Sequence, residues 1–127
     1  MSKILLIVML SISLFANDII VKQSNCSVDK TVQNIKNIVT KKGLHVFTVI
    51  DHSKNAKTVN MKLNESKLII FGNPTVGTAL MQQDLTVGLD LPIKILVFRD
   101  ENGEVEMAYR DGSWLNTQHT LNANKKI

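Results

Sequence analysis

The chain has 127 residues, a formal net charge of +4, 44% apolar residues and 20% charged residues, a composition typical of one folded domain rather than a disordered segment. Thirteen of its fifteen cations are Lys, and they are scattered apart from pairs at Lys41–Lys42 and Lys125–Lys126. Nucleic-acid-binding surfaces more often show clustered Arg with interleaved aromatic residues, so we expect no nucleic-acid partner.

The N-terminus predicts export. Lys3 gives a positive start, residues 4–15 are all apolar or carry a hydroxyl, and Ala16 is a small residue at which cleavage can occur. This pattern predicts a signal peptide over residues 1–16 and a periplasmic domain over residues 17–127, with no membrane attachment after cleavage. Leu14 stands at a position that usually holds a small residue, so an uncleaved N-terminal anchor is the alternative.

Cys26 is the only cysteine, which excludes a disulfide within the chain. It precedes a predicted helix, whose dipole could stabilise a thiolate. Two interpretations stay open, a structural or surface cysteine and a reactive thiol.

The first elements are a short strand beginning at Ile19 and a helix that Ser27 caps, with Asp29 in its first turn. Lys41, Lys42 and Gly43 are typical of the end of a helix. The apolar stripe of the helix repeats at helical spacing and consists of Val28, Val32, Ile35, Ile38 and Val39.

Further along, the pattern predicts a helical turn over residues 55–59, a hairpin turn near Asn102 and a last helix from about Ser113. Alternating or continuous apolar runs predict strands at residues 45–51, 67–71, 93–98 and 104–109. The run at 67–71 is nearly all apolar, as in a central strand buried on both sides. This order predicts an α+β two-layer sandwich, with an antiparallel sheet and helices on one face.

The stretch GNPTVGTA has the glycine spacing of a phosphate-binding loop at Gly72 and Gly77. Thr78 and Ala79 stand where that loop needs Lys and Ser or Thr, and Pro74 lacks the N–H that a phosphate nest requires. These replacements argue against nucleotide hydrolysis.

The same stretch is better explained as the start of a helix. Asn73 suits the N-cap and Pro74 the first helical position. Pro92 is expected to start the next strand. One side of this helix, including two glycines that would allow close approach to the sheet, is predicted to carry Gly77, Leu80, Met81, Leu85 and Gly88.

Several motifs together carry a family resemblance: Ile50-Asp51-His52, Ala56, Phe71-Gly72-Asn73-Pro74, Gly77-Thr78, Leu80-Met81, Asp90-Leu91-Pro92 and Tyr109. The chain resembles the domain of unknown function family 302 over almost its whole predicted mature length. The resemblance implies a fold similar to the TATA-binding-protein-like class and, often, a homodimer. It implies no catalytic residue, and the fold name implies nothing about DNA binding.

The best polar pair for a site is Asp51 with His52. His52 is either a metal ligand or general base, or a capping or hydrogen-bonded structural residue. The Tyr109 hydroxyl is expected to reach the loops that carry Asn73 and Asp90. The predicted pocket therefore comprises Asp51, His52, Asn73, Asp90 and Tyr109.

No metal site and no catalytic residue are predicted. His45 and His119 lack ligands at a recognisable spacing, and no CxxCH motif for covalent haem is present. Met81 and Met107 are either soft metal ligands or core residues. The nature of any cofactor stays open.

These observations predict an exported, non-enzymatic domain that binds a small molecule or a partner and forms a homodimer. The alternative is a periplasmic enzyme or redox accessory protein that uses His52 and Asp51, with a noncovalently bound metal or haem.

Overall fold

A computed structural model describes residues 18–122, and the predicted signal peptide at residues 1–16 lies outside them. The strands are β1 Ile20–Ser24, β2 His45–Asp51, β3 Ser66–Gly72, β4 Ile93–Arg99 and β5 Val105–Tyr109. The helices are α1 Val28–Lys41, α2 His52–Thr58, α3 Pro74–Gln83 and α4 Gly112–Gln118, with a 3-10 helix at Leu85–Leu89.

The five strands form one sheet in the order β1-β5-β4-β3-β2, and every neighbouring pair is antiparallel. A bulge at Phe47 shifts the register between β2 and β3. β4 is the middle strand, and the hairpin from β4 to β5 forms as predicted. The α+β fold expected from the element order is confirmed.

Helix α1 covers one face of the sheet. The Ser27 side chain accepts a hydrogen bond from the Lys30 N–H, and Gly43 ends the helix in the left-handed region at a φ of 77°. The buried core between α1 and the sheet consists of Val28, Val32, Ile35, Val39, Ile69, Phe71, Val97 and Val105. Four of the five stripe residues predicted for α1 are thus core residues, and the fifth, Ile38, is exposed.

The prediction that one helix runs through Leu85 and Gly88 is wrong. α3 ends at Gln83, and the Asp84 side chain accepts from the Thr86 N–H to cap a separate 3-10 helix. Leu85 is consequently 83% exposed. A Cβ on Gly88 would lie 3.2 Å from the Met81 sulfur, so Gly88 allows the 3-10 helix to approach α3 rather than the sheet.

The remaining helices, α2 and α4, closely follow strands β2 and β5 in the chain. The predicted turn at residues 55–59 is α2, which begins earlier, at His52. The predicted last helix is α4, which Asp111 caps through the Trp114 N–H, and the Arg110 guanidinium lies 4.7 Å from the Trp114 ring centre. Leu121 lies beyond the end of α4.

Candidate functional site

The five residues predicted to form one pocket lie at two opposite ends of the sheet. Asp51 ends β2 and pairs with Lys67 near the start of β3, and His52 begins α2 directly after it. Asn73 follows the last residue of β3. A strand rises about 3.3 Å per residue, so the length of β3 places Asp51 about 20 Å from Asn73.

Asp51 has a structural role at the first of these ends. One carboxylate oxygen accepts hydrogen bonds from the Ser53 hydroxyl at 2.6 Å and from the Lys54 N–H at 2.8 Å, which caps α2. The Lys67 ammonium lies 3.5 Å from the other oxygen and 2.6 Å from Asp29 in the first turn of α1. The hydrogen bond from Ser53, then that from Lys54, and the charge of Lys67 lower the pKa of Asp51 to about 2.

Lys67 therefore joins three elements, because it binds the first turn of α1 and the cap of α2 from within the sheet. The hydrogen bond to Asp29 is the main cause that raises the pKa of Lys67. His52, the proposed ligand or base, is partly exposed, and its ring has no hydrogen-bond partner within residues 18–122. Its predicted site role stays a prediction.

At the opposite end, Asn73 caps α3 as predicted. Its side-chain oxygen accepts from the Thr75 N–H at 2.9 Å, and Pro74 occupies the first turn. Tyr109 ends β5 at the same end of the sheet, but among the described contacts its hydroxyl bonds to neither Asn73 nor Asp90. Asn73 and Tyr109 therefore share an end of the sheet without a direct hydrogen bond.

Asp90 binds a residue that the sequence pattern did not single out. The His119 Nε2 atom lies 2.6 Å from an Asp90 carboxylate oxygen, and Nδ1 lies 3.0 Å from the Thr86 hydroxyl. The His119 side chain is 7% exposed. Asp84 lies 3.8 Å from Nδ1, and its pKa is lowered chiefly by hydrogen bonds from the Thr86 hydroxyl and N–H.

The contacts of His119 attach the segment after α4 to the 3-10 helix. The Thr120 N–H donates to Asp84, and the Thr86 hydroxyl donates to the same carboxylate at 2.7 Å, so this hydroxyl is not left free as a nucleophile. His119 thus lies within hydrogen-bond distance of Asp90 through Nε2 and of the Thr86 oxygen through Nδ1. The cluster of His119, Asp90, Thr86 and Asp84 holds the segment after α4 against the 3-10 helix by hydrogen bonds.

The sheet face opposite α1, here called the open face, carries a row of apolar residues. Side chains alternate along each strand, so the residues between the core positions of β3, β4 and β5 point away from α1. Strand register places five apolar residues in one row across this face, and they are Val21, Ala108, Leu96, Leu68 and Ile50. Each of the five stays partly exposed.

The open face continues into a groove beside residues 59–63. The groove has a volume of about 810 Å³, and four apolar side chains line it, those of Met61, Leu63, Leu96 and Phe98. The rest of its lining is polar or charged and consists of Lys57, Lys62, Asn64, Glu65, Ser66, Arg99, Asp100 and Glu101. Met61 is 65% exposed and Leu63 is 54% exposed. Exposed apolar side chains with a polar rim are typical of interaction sites.

Met81, Met107 and Cys26 each have packing or hydrogen-bond contacts in the part of the chain described. No group of three or more His, Cys, Asp or Glu side chains within residues 18–122 could hold a metal ion. Met107 packs against the core, and Met81 contacts Gly88. Cys26 is partly buried, and its sulfur accepts from the Asn34 amide at 3.9 Å.

Within residues 18–122, no helix is long and apolar enough to cross a membrane.

Comparison with known sequences identifies one family pattern. The family described as domain of unknown function DUF302 matches residues 20–126. A crystal structure of an uncharacterised conserved DUF302 protein from Bacillus stearothermophilus is similar in fold, with a TM-score of 0.74. The similarity covers 81% of this chain and 80% of that one, at 15% sequence identity.

Curated relatives are larger proteins. A protein named fluoride-specific ion channel FluC 1 from Brucella suis is 36% identical over 115 residues, covering 91% of this chain and 45% of its own length. One named FluC 2 from Brucella melitensis is also 36% identical, over 43% of its own length. The chain spans less than half the length of these relatives.

Proposed function

Since the chain belongs to the DUF302 family of domains of unknown function, we propose that it is an exported, non-enzymatic module that binds a small molecule or a partner and acts as a homodimer. The observation that carries the proposal is the open face, with its apolar row and the adjoining groove. We infer that this face serves recognition, because its apolar row offers contact area to a ligand or a partner.

The polar residues support the same proposal. Asp51, Asn73 and Asp84 each cap a helix, and Asp90 binds His119. A carboxylate that already accepts several hydrogen bonds is a poor general base, because those bonds favour its charged form. His52 is the residue on which the enzymatic alternative depends.

The direct test uses the purified protein with a matched pair of variants. Colour and metal content by mass spectrometry come first, followed by a thermal-shift panel of small apolar and amphipathic molecules. A ligand at about 100 times its dissociation constant stabilises the folded protein by about 2.7 kcal/mol, which a melting curve resolves. We expect shifts in the wild type and in Leu85→Glu, and none in Leu96→Glu. Single turnovers that disappear in a folded His52→Ala variant would overturn the non-enzymatic assignment.

Export is tested separately. Cells that express the full chain are fractionated, and the mature N-terminus is measured by mass spectrometry. A periplasmic protein that begins at Asn17 is the expected result. A full-length protein in the membrane fraction would instead support the uncleaved anchor.

A second candidate function follows from the names of the curated relatives. Proteins named fluoride-specific ion channels share 36% identity with this chain over less than half their length, so this module could assist such a channel. The test compares fluoride tolerance of cells with and without the gene. Equal tolerance removes this candidate and leaves the first one standing.

A further inference from the structure

We propose that the occupant of the open face is a second copy of this chain, packed face to face about a two-fold axis that runs along the apolar row. This inference rests on the proposed homodimer and specifies its interface. Three features of the open face carry it: its area, its apolar row and the placement of its charges.

The area meets the requirement for a specific dimer. Strands lie about 4.8 Å apart and rise about 3.3 Å per residue, so the five strands present about 500 Å² in projection per copy. Two copies bury about 1,000 Å², the lower limit expected of a biological interface. Residues 59–63 extend the surface beyond the sheet, since Met61 and Leu63 line the adjoining groove.

The apolar row supplies the centre of the interface. Leu96 lies on the middle strand, with Ala108 and Leu68 as its cross-strand neighbours. Packed sheets stand about 10 Å apart, a distance that apolar side chains from two such rows fill. A row packed on itself is self-complementary, as a two-fold interface requires.

One pair of charges on the open face favours one direction of the axis. Lys94 lies two residues from Leu96 on one side of the row, and Glu106 lies two residues from Ala108 on the other side, on the neighbouring strand. An axis along the row reverses the strand direction and brings Glu106 of the second copy level with Lys94. An axis parallel to β4 would instead bring Lys94 of one subunit opposite Lys94 of the other. Like charges facing each other are costly, so the first arrangement is favoured.

Solution mass tests the interface. The wild type is expected to dimerise in sedimentation and light-scattering experiments from about 5 to 200 µM, a range suited to micromolar dissociation constants. Leu96→Glu is expected to be monomeric throughout. Leu85→Glu makes the same change at an exposed leucine outside the open face and is expected to dimerise normally. Circular dichroism and melting curves confirm that each variant folds.

Charge reversal tests the axis. Glu106→Lys is expected to weaken the dimer at least about 100-fold, since it places like charges together at Lys94. Adding Lys94→Glu to Glu106→Lys restores opposite charges and should recover most of the loss. Failure of the double variant to recover, with both proteins folded, contradicts the proposed axis.

A cross-linking experiment covers the case in which Lys94→Glu disturbs folding, because the Lys94 ammonium donates to the Pro92 carbonyl at 2.8 Å. In a Cys26→Ser background, Ala108→Cys places one thiol on each subunit, and the two thiols face each other across the axis. A short bismaleimide is expected to couple them. Leu85→Cys in the same background is expected to stay uncoupled. A cross-link at Leu85→Cys alone would overturn the proposed face.

The outcomes separate the two proposals. A wild type that stays monomeric contradicts both the homodimer and this interface, and binding of a small ligand to that monomer identifies the other occupant. A wild-type dimer that Leu96→Glu leaves intact contradicts only the interface and leaves the homodimer standing.

Discussion

Replacing Asp51 separates its structural role from a role in chemistry. Asp51→Ala removes the carboxylate that accepts from the Ser53 hydroxyl and the Lys54 N–H. Loss of an N-cap costs about 0.5–2 kcal/mol, and loss of the contact with Lys67 adds less than about 1 kcal/mol because the pair is partly exposed. Lys67 also keeps Asp29 as a partner. The expected cost is about 1–2 kcal/mol.

Asp51→Asn is the matched variant. Asn caps a helix about as well as Asp, so this change removes the charge and keeps the cap. We expect the midpoint of thermal unfolding to fall by about 5–10 °C in Asp51→Ala and by clearly less in Asp51→Asn, for a domain of this size. The measurement is differential scanning fluorimetry or calorimetry at pH 7.

The pH dependence gives an independent check. The pKa of Asp51 is lowered to about 2, so its charge contributes stability above the ordinary value near 3.8, and this contribution is lost as the pH falls through about 2. The stability difference between wild type and Asp51→Asn should therefore shrink from about pH 5 downward. If Asp51→Ala melts like the wild type, or Asp51→Asn is as unstable as Asp51→Ala, the capping argument is refuted.

Three further predictions follow from burial, backbone conformation and hydrogen bonding. Ile69→Ala is expected to lower the free energy of unfolding by about 2–5 kcal/mol in urea titrations because Ile69 is fully buried, whereas Ile38→Ala at a 54% exposed position should cost less than about 0.5 kcal/mol. Gly43→Ala is expected to cost about 1 kcal/mol since Gly43 has a φ of 77°, while Gly112→Ala, with open space around it, should change stability little. His119→Ala is expected to cost about 1–3 kcal/mol and to speed amide exchange at Thr120, which His52→Ala should leave unchanged.

The elements that sequence reasoning predicted well are those whose signals are local. Ser27, Asp29 and Gly43 mark the ends of α1, and the apolar residues between them recur at helical spacing throughout. Asn73 and Pro74 similarly mark the start of α3. Such signals depend on neighbours within one turn of helix, which the sequence contains directly.

The sequence predictions fail in two situations. In one, a local capping motif ends a helix that the apolar pattern would continue, and in the other, two residues far apart in the sequence are in contact. The sequence Asp84-Leu85-Thr86 forms a cap of its own, and this interrupts a helix that apolar periodicity alone would have continued. His119 meets Asp90 across 29 positions, and no spacing rule connects them. Asp51 and Asn73 are predicted to share one pocket, but β3 separates them along its length.

The apolar run of β3 links the sequence to the proposed assembly. Its composition predicted burial on both sides, and α1 buries only Ile69 and Phe71. Leu68 and Ile70 point to the open face and stay partly exposed. If about 60% of the roughly 1,000 Å² in a dimer is apolar, its burial is worth about 15 kcal/mol at about 25 cal/mol per Å².

Association itself costs about 4–15 kcal/mol in lost translational and rotational freedom. The difference lies between about 0 and 11 kcal/mol, a range that includes the roughly 8 kcal/mol of a micromolar dimer. We expect a dimer of that strength. Such a dimer exchanges its subunits and exposes the open face part of the time. A small apolar ligand would then compete with the second copy for Leu96 and Phe98, so ligand binding and dimerisation should weaken each other.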